Sequence, residues 1–280
     1  RYSEESVMLP NFLGIGIPRS GTTWLHELLR NHPQIYVPTQ RKEIRFFDQY
    51  YDRGLGWYEK FFPADAEAGQ YRAVGEISPQ YILSRKTLER IREVGTVHRF
   101  LLMLRNPVDM AYSYYGLKVK NTNYTGSFDQ FLVDHPEAIE RGYYSKWLES
   151  FYDLFPKDQL LVMISEQAVE DVEGSKARLA EFLGVSADQF PDSAGEKRVN
   201  PSYVPKAPTL YSFIVGVSKR LKRWDGLTDV VKKTGVKKLF MSKQSLPPIT
   251  DEAKSKLRST FSDDISKVEE MLGIDLDCWR

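Results

Sequence analysis

A glycine-bearing loop near the amino terminus carries residue types that suit phosphate binding. In Gly16-Ile17-Pro18-Arg19-Ser20-Gly21-Thr22-Thr23 the glycines have the spacing of the nucleotide P-loop, but Thr22 stands where that loop has its lysine. The positive charge lies inside the loop instead, on Arg19. A helix beginning at Thr22 would present unbonded N–H groups and its positive dipole end to an anion. The loop therefore predicts a site for a terminal phosphate beside a group in transfer, contacted by Arg19; a strand–turn–helix junction without function is the alternative.

A second candidate anion site follows an apolar run. Arg105 comes directly after the run at 97–104, which places it at the carboxyl end of a buried strand, where open α/β sheets bind ligands. Ser113 lies eight residues later, about two turns into a predicted helix. Its hydroxyl could share one phosphate with the Arg105 guanidinium. A surface arginine and an ordinary helical serine are the alternative interpretation.

Alternating strands and helices must position both candidate sites. Apolar runs predict strands at 11–17, 71–77, 97–104 and 159–164. Helical spacing of apolar residues predicts helices at 22–30, 107–118, 143–155, 168–183 and from Thr250 onward. The alternation indicates an α/β fold, a P-loop-like parallel β-sheet flanked by helices, in a single domain over 1–280. The segment 191–248, rich in proline and lysine, is predicted to be an irregular C-terminal elaboration over the active face.

Composition narrows the classes of function. The 280 residues include 39 basic and 38 acidic side chains, and this balance argues against a nucleic-acid binder. The single cysteine, Cys278, excludes an internal disulfide. A mean hydropathy of −0.44 and the lack of an 18-residue apolar window predict no membrane span. Without a signal-type segment or an initiator Met, we expect a cytoplasmic domain cut from a longer chain. Since no His, Cys, Asp and Glu residues have metal-ligand spacing, we expect no metal.

Taken together, these motifs resemble the sulfotransferases that use PAPS, 3′-phosphoadenosine 5′-phosphosulfate. Pro18 to Trp24 with Asn31-His32-Pro33 is similar to the family's 5′-phosphosulfate loop, and Arg105-Asn106-Pro107 with Ser113 is similar to its 3′-phosphate site. The stretches 43–48, 54–58 and 76–81 resemble the Golgi branch that acts on heparan sulfate. Ser242-Lys243 resembles a late nucleotide-binding loop. The resemblance implies a PAPS site formed by Arg19, Ser20, Gly21, Thr22, Thr23, Trp24, Arg105, Ser113 and Lys243.

The resemblance also implies catalytic roles in a metal-free sulfuryl transfer to an acceptor hydroxyl or amine. Such a transfer is in-line and depends on positioning and charge stabilisation. Glu43 matches the family's catalytic glutamate and is the first candidate for the general base; Glu76 is the second, with an ion pair to a neighbouring arginine as its alternative role. Arg19 stands where the family usually has lysine, and arginine lends no proton at neutral pH. Arg45 stands where some relatives have histidine, and would hold Glu43 charged or bind an acidic acceptor.

A local excess of positive charge indicates which kinds of acceptor or partner the chain could bind. Residues 218–243 contain nine Lys or Arg against two Asp, which predicts either a solvated basic helical face or a dock for an acidic partner. Two partners fit: an acidic acyl carrier protein presenting a β-hydroxyacyl chain, as for sulfotransferase domains of bacterial polyketide synthases, and a heparan-type anionic glycan. The apparent lack of a signal peptide and of disulfides favours the carrier protein slightly. Alternatives from other classes are a P-loop kinase or NTPase, against which Thr22 argues, and a non-catalytic binder of anionic glycans.

Overall fold

The computed structural model describes residues 9–64, 69–122, 124–195, 204–205, 241–242, 246 and 248–280. The strands are β1 (Phe12–Gly16), β2 (Ile35–Tyr36), β3 (Ala73–Ile77), β4 (Arg99–Leu104), β5 (Leu160–Ile164), β6 (Val204–Pro205) and β7 (Met241–Ser242). The α-helices are α1 (Thr22–Arg30), α2 (Leu55–Tyr58), α3 (Arg85–Val94), α4 (Pro107–Thr122), α5 (Phe128–Asp134), α6 (Glu137–Glu140), α7 (Tyr144–Tyr152), α8 (Ser165–Glu170), α9 (Val172–Leu183) and α10 (Asp251–Leu272).

Five strands form a parallel sheet in the order β2-β3-β1-β4-β5. This sheet confirms the predicted α/β fold. All five residues of β1 and of β3 are buried, as expected for parallel strands covered on both faces. Because the strands are parallel, the carboxyl ends of β3, β1 and β4 lie side by side at one edge. The segments that follow these ends carry the phosphate loop, Ser78 and Arg105.

Helices cover both faces of the sheet. Successive residues of β4 point to opposite faces. Leu101 and Met103 belong to a buried cluster that includes apolar residues of α1 and α9. The Phe100 ring lies 5.0 Å from that of Phe151 on α7 and 4.6 Å from that of Phe155. Packing on two faces fixes the sheet, and with it the loops at its edge.

Most predicted elements agree with the structure, and one helix differs. The predicted helix at 168–183 is two helices, α8 and α9, separated at Asp171. The Asp171 carboxylate caps α9 by accepting the Gly174 N–H at 2.8 Å, so an N-cap interrupts the apolar pattern. Thr250 caps α10 as predicted, accepting the Ala253 N–H at 3.2 Å. The sequence did not predict β2 or α3.

The chain divides into two compact units. The first comprises Arg1–Asn106, Tyr143–Val199 and Asp263–Arg280 and contains the parallel sheet. The second comprises Pro107–Gly142 and Asn200–Ser262; its described helices α4 and α5 share an aromatic cluster of Tyr112, Tyr114, Tyr115, Phe128 and Phe131. A single domain over 1–280 therefore stays a prediction. The predicted elaboration at 191–248 lies mostly outside the described residues, and none of the described helices is long and apolar enough to cross a membrane.

Candidate active site

The phosphate loop joins β1 to α1 as predicted. Its backbone is fixed to the sheet by the Ile17 N–H, which donates to the Met103 carbonyl on β4 at 2.8 Å. Gly21 has φ +91°, and a Cβ built on it would lie 2.9 Å from Ser165 Oγ, so glycine is required there. Arg19 also has a positive φ, +75°, which is uncommon for a residue with a side chain. The turn thus holds Arg19 in a conformation that costs free energy and that packing must sustain.

The first turn of α1 lacks a side-chain cap. Gly21 at the N-cap position offers no oxygen to the N–H groups of the turn, which leaves donors for an incoming anion. Ser20 is completely buried, and its Oγ makes no hydrogen bond of good geometry within the described residues. The Tyr144 hydroxyl lies close to it, and this contact opposes the rise in the pKa of Tyr144 that burial causes. The loop therefore offers backbone donors and one buried hydroxyl to a phosphate-like group.

Three cationic side chains converge around this loop. Burial lowers the pKa of Arg19, and the nearby Arg105 guanidinium lowers it further, while the Glu43 carboxylate opposes both effects. Burial also lowers the pKa of Lys42, and Arg19 contributes in the same direction. Lys42 Nζ donates to Thr23 Oγ1 at 2.5 Å. Like charges gathered in a half-buried region favour a multiply charged anion as ligand.

Glu43, the first candidate base, lies near two cations at the phosphate loop. It is half-buried, and its carboxylate is close enough to Arg19 and Lys42 to shift the pKa of both. The backbone is held by Arg41, whose Nε donates to the Glu43 carbonyl at 3.1 Å. The structure thus brings together three residues that the sequence had proposed for one site, Arg19, Glu43 and Arg105.

Glu76 lies at the end of β3, enclosed by its hydrogen-bond partners. It has no exposed surface, and its carboxyl oxygens accept four hydrogen bonds: from Ser78 Oγ at 2.6 Å, Tyr81 Oη at 2.5 Å, Tyr58 Oη at 3.2 Å and the Ile44 N–H at 3.3 Å. Burial raises the pKa of Glu76 to about 7, and the hydrogen bonds oppose this rise. The partners are hydroxyls and a backbone N–H, not the arginine that the alternative interpretation expected.

Arg45 forms an ion pair with a neighbouring aspartate. It follows Ile44 with a left-handed φ of +61°, and its N–H donates to Ser78 Oγ at 3.0 Å. This backbone conformation directs the guanidinium to Asp48, three residues later, where Nε donates to Oδ2 at 2.9 Å. Asp48 thus pairs with the Arg45 guanidinium, and the two roles expected of Arg45, towards Glu43 or towards an acidic acceptor, stay predictions.

Trp24, also predicted to bind the cofactor, has its ring in the core. Its side chain is 6% exposed and lies in the buried cluster between α1 and α9. The indole N–H donates to the Gly195 carbonyl at 2.9 Å. Of the loop residues predicted to bind the cofactor, Trp24 can therefore offer its backbone but not its ring. Its place on the apolar face of α1 was the signal in the sequence.

The backbone around Arg105 is held by several long-range contacts. The Arg105 carbonyl accepts the Tyr144 hydroxyl at 2.7 Å. Asp264 on α10 fixes Tyr144 in turn, accepting its N–H at 2.7 Å and the Ser145 hydroxyl at 2.5 Å. The next residue of the chain, Asn106, donates its N–H to Glu166 Oε1 at 3.0 Å. These contacts position the end of β4, where the predicted 3′-phosphate site begins.

Two further residues of the predicted nucleotide site stay predictions. Ser113 is half-buried on α4, in the second compact unit, and its share in a phosphate site stays a prediction. Lys243 lies outside the described residues, as does most of the basic segment 218–243. Their roles rest on the sequence.

Two other polar features lie in the described part of the first unit. A surface groove of about 690 Å³ is lined by residues that include His98, Arg99, Asp158 and Arg178. It lies at the amino ends of β4 and β5, and therefore at the edge opposite the phosphate loop. An acidic group of Glu269, Asp275 and Asp277 brings carboxylate oxygens within 4.8 Å of one another, but Arg280 forms ion pairs with Glu269 and Asp277.

Comparison with known proteins decides the family. A family model described as a sulfotransferase domain matches residues 9–201. The chain belongs to the sulfotransferase family. The resemblance that the loop motifs carried is thereby confirmed, and the match favours a sulfotransferase over the kinase or NTPase alternative.

Named relatives of this sulfotransferase-family chain include a mouse enzyme. The chain is 33% identical over 191 residues to heparan sulfate glucosamine 3-O-sulfotransferase 3A1 of Mus musculus, and the match covers 65% of this chain and 47% of that protein. The human protein of the same name is 32% identical over 191 residues. The chain thus spans about half the length of these curated relatives.

Solved structures support the same fold. A sulfotransferase from Alicyclobacillus acidocaldarius is 25% identical with a TM-score of 0.70, and the match covers 98% of this chain and all of that one. The sulfotransferase domain from the curacin biosynthetic pathway is 14% identical with a TM-score of 0.50, over 92% of this chain and 99% of that one. At 14% identity the second likeness shows the fold alone.

Sequence reasoning missed Lys42. The sequence placed the charge of the loop on Arg19 and a second anion site at Arg105, and gave no role to Lys42. A signal was present, because Lys42 directly precedes the candidate base Glu43. The contact with Thr23, nineteen residues earlier, becomes visible only once the chain is folded.

Proposed function

We propose that this chain transfers a sulfuryl group from PAPS to a hydroxyl of a saccharide acceptor. The observation that carries the proposal is the convergence of Arg19, Lys42, Arg105 and Glu43 around the uncapped first turn of α1. A site with several cations and one carboxylate can bind a polyphosphorylated donor and remove one proton from an acceptor. The relatives' names indicate heparan sulfate glucosamine as the kind of acceptor.

The residues present fit the donor. The backbone donors of α1 and the buried Ser20 hydroxyl suit the 5′-phosphate, and Arg19 suits the sulfuryl group next to it. Arg105, at the end of β4, suits the 3′-phosphate, with Ser113 and Lys243 as predicted further ligands. When bound, PAPS supplies the activated sulfuryl group.

Two side chains, Glu43 and Arg19, carry out the proposed chemistry. Glu43 accepts the proton of the acceptor hydroxyl as its oxygen approaches the sulfur. Arg19 stabilises the negative charge that grows on the oxygen between sulfur and phosphorus. Because a guanidinium keeps its proton, the phosphate leaves as an anion whose charge the surrounding cations balance. The loop and the end of β4 hold these groups in one geometry, which lowers the entropic cost of reaching the transition state.

Glu76 and Arg45 position the segment that carries Glu43. Glu76 accepts the N–H of Ile44, the residue after Glu43, and the hydroxyl of Ser78, which itself accepts the Arg45 N–H. Since Glu76 has no exposed surface, we assign it to this positioning role and Glu43 to the base.

A cation–aromatic cluster next to Glu43 supports an anionic saccharide as acceptor. The Arg41 guanidinium lies 4.7 Å from the centre of the Tyr50 ring, and Arg53 lies 4.9 Å from the rings of both Tyr50 and Trp57. Aromatic rings suit the C–H faces of a sugar, and guanidinium groups suit its carboxylate or sulfate substituents. The carrier-protein acceptor and the cytoplasmic location stay predictions from the sequence.

The test compares two glutamine variants. Glu43→Gln and Glu76→Gln are assayed for sulfate transfer from PAPS to a heparan-type oligosaccharide and for thermal stabilisation by the product, adenosine 3′,5′-bisphosphate. A ligand at 100 times its Kd stabilises the folded state by about 2.7 kcal/mol. We expect Glu43→Gln to retain the stabilisation and to lose transfer by at least about 100-fold, and Glu76→Gln to retain most of both.

The outcomes separate donor, base and acceptor. A wild-type chain that the bisphosphate does not stabilise refutes the PAPS proposal. Full transfer in Glu43→Gln moves the base to another residue. Stabilisation by the bisphosphate without transfer to any saccharide refutes the proposed class of acceptor but leaves the PAPS proposal standing. A hydroxyacyl carrier protein is then the next acceptor to assay.

A further inference from the structure

Lys42 reaches the phosphate loop from a different segment of the chain. It lies between β2 and the turn that carries Glu43, and its Nζ donates to Thr23 Oγ1 at 2.5 Å. Thr23 belongs to the first turn of α1, directly after Thr22 and Gly21. The ammonium group is therefore held beside the helix end to which an anion would bind.

Burial, rather than the charges around it, disfavours the ammonium form of Lys42. Arg19 approaches from the loop, and the positive end of the α1 dipole lies at the same place. Burial lowers the pKa of Lys42 and Arg19 lowers it further, whereas Glu43 and Glu27 oppose these effects. His26 on α1, whose own pKa burial lowers, also faces the ammonium group.

An anion at the first turn of α1 would offset this cost of burial. Ser20, in the same loop, is completely buried, and its Oγ makes no hydrogen bond of good geometry within the described residues. A buried hydroxyl, uncapped helix N–H groups and an ammonium group are complementary donors for phosphate oxygens. The hydrogen bond from Lys42 to Thr23 holds the ammonium group next to these donors.

We infer that Lys42 binds the 5′-phosphosulfate group of the donor and stabilises the departing 5′-phosphate. This inference rests on the proposed function and adds a second cation to Arg19. In the reaction the acceptor oxygen forms a bond to sulfur while the bond from sulfur to the bridging oxygen breaks. The electron pair of that bond stays on the 5′-phosphate oxygen, and the acceptor proton passes to Glu43. Lys42 keeps its proton and donates a hydrogen bond to the phosphate.

The test measures what the 5′-phosphate adds to binding. Calorimetry at fixed ionic strength gives the affinities of adenosine 3′,5′-bisphosphate and adenosine 3′-monophosphate for the wild-type chain, Lys42→Gln and Lys42→Arg. The matched control is Lys86→Gln, since Lys86 is exposed on α3. We expect Lys42→Gln to weaken bisphosphate binding by about tenfold or more and to leave monophosphate binding unchanged. Lys42→Arg should restore part of the loss, and Lys86→Gln should match the wild type.

Each outcome decides the inference. Equal losses for both nucleotides in Lys42→Gln would mean that Lys42 only supports the fold, and would overturn it. Unchanged bisphosphate binding in Lys42→Gln, with a wild-type chain that prefers the bisphosphate, would overturn the role of Lys42 and leave the proposed function standing. A wild-type chain that binds neither nucleotide would refute the proposed function itself. Monophosphate binding also shows that each variant is folded.

Discussion

The buried carboxyl of Glu76 gives the folded protein a characteristic dependence on pH. Its pKa in the folded state is about 7, against an ordinary value of 4.5. Between these two values the unfolded chain has released the proton that the folded chain keeps. Rising pH therefore favours unfolding in this window, and the stabilisation present below pH 4.5 is lost by about pH 7. A difference of about 2.5 pKa units corresponds to about 3 kcal/mol.

Glu76→Gln removes this titration with little change in shape. An amide oxygen in place of Oε2 still accepts the Ile44 N–H and the Ser78 hydroxyl. The amide nitrogen then replaces Oε1, where the Tyr58 and Tyr81 hydroxyls can rotate to accept its hydrogens. We expect the variant to be less stable than the wild type at pH 4.5 and to gain about 3 kcal/mol relative to it by pH 8.

The assay is urea unfolding of both chains at several pH values between 4.5 and 8, followed by intrinsic fluorescence. Comparing the two chains at each pH cancels the titrations that they share. For a chain of this length, 3 kcal/mol corresponds to a shift in Tm of about 5 °C, so thermal melts provide a second measurement. A difference in free energy of unfolding that does not vary with pH would refute the reasoning. A difference that changes with the opposite sign would mean that the four donors hold Glu76 ionised in the folded state.

Three further predictions concern the loop and the end of β4. Gly21→Ala should destabilise the chain by about 1–2 kcal/mol in urea unfolding, because φ is +91° and the new Cβ would meet Ser165 Oγ at 2.9 Å; unchanged stability would contradict the described turn. Asp264→Ala should lower the free energy of unfolding by about 1–3 kcal/mol in the same assay, because it leaves the buried Tyr144 N–H without its acceptor. A loss below about 0.5 kcal/mol, the usual size of surface effects, would contradict this prediction. Arg105→Ala should weaken binding of adenosine 3′,5′-bisphosphate by about tenfold or more in calorimetry while sparing adenosine 5′-monophosphate; equal losses would place Arg105 away from the 3′-phosphate.

The parts of the fold that the sequence predicted depend on local patterns. The strand, loop and helix from 11 to 30 follow from a short apolar run, two spaced glycines and a helical apolar stripe. Strands β4 and β5 follow from continuous apolar runs that only a doubly covered sheet can bury. Asp171 shows a local signal that was overlooked: an aspartate three residues before Gly174 was able to cap a new helix.

The site could be predicted only in part, because side-chain orientation depends on packing over long separations. Trp24 has the right neighbours for a cofactor contact, yet the helical stripe directs its ring into the core. Arg45 lies two residues from Glu43, but a left-handed backbone turns its side chain towards Asp48. Glu76 was a candidate base because it stands at the end of a predicted strand. Its burial depends on Tyr58 and Tyr81, which no local pattern connects to it.

The positive charge around the phosphate loop gives a physical reason for the burial of Glu76. A net charge of +1 over 280 residues says nothing about a small region in which Arg19, Lys42 and Arg105 meet. An ionised carboxylate at Glu76, opposite Leu13 of β1 in the sheet register, would oppose phosphate binding in the loop that follows β1. Burial keeps the proton on Glu76 up to about pH 7, and in the proposed mechanism Glu43 then supplies the negative charge. Two glutamates near one loop can then have different functions, because one is enclosed and the other is half-exposed.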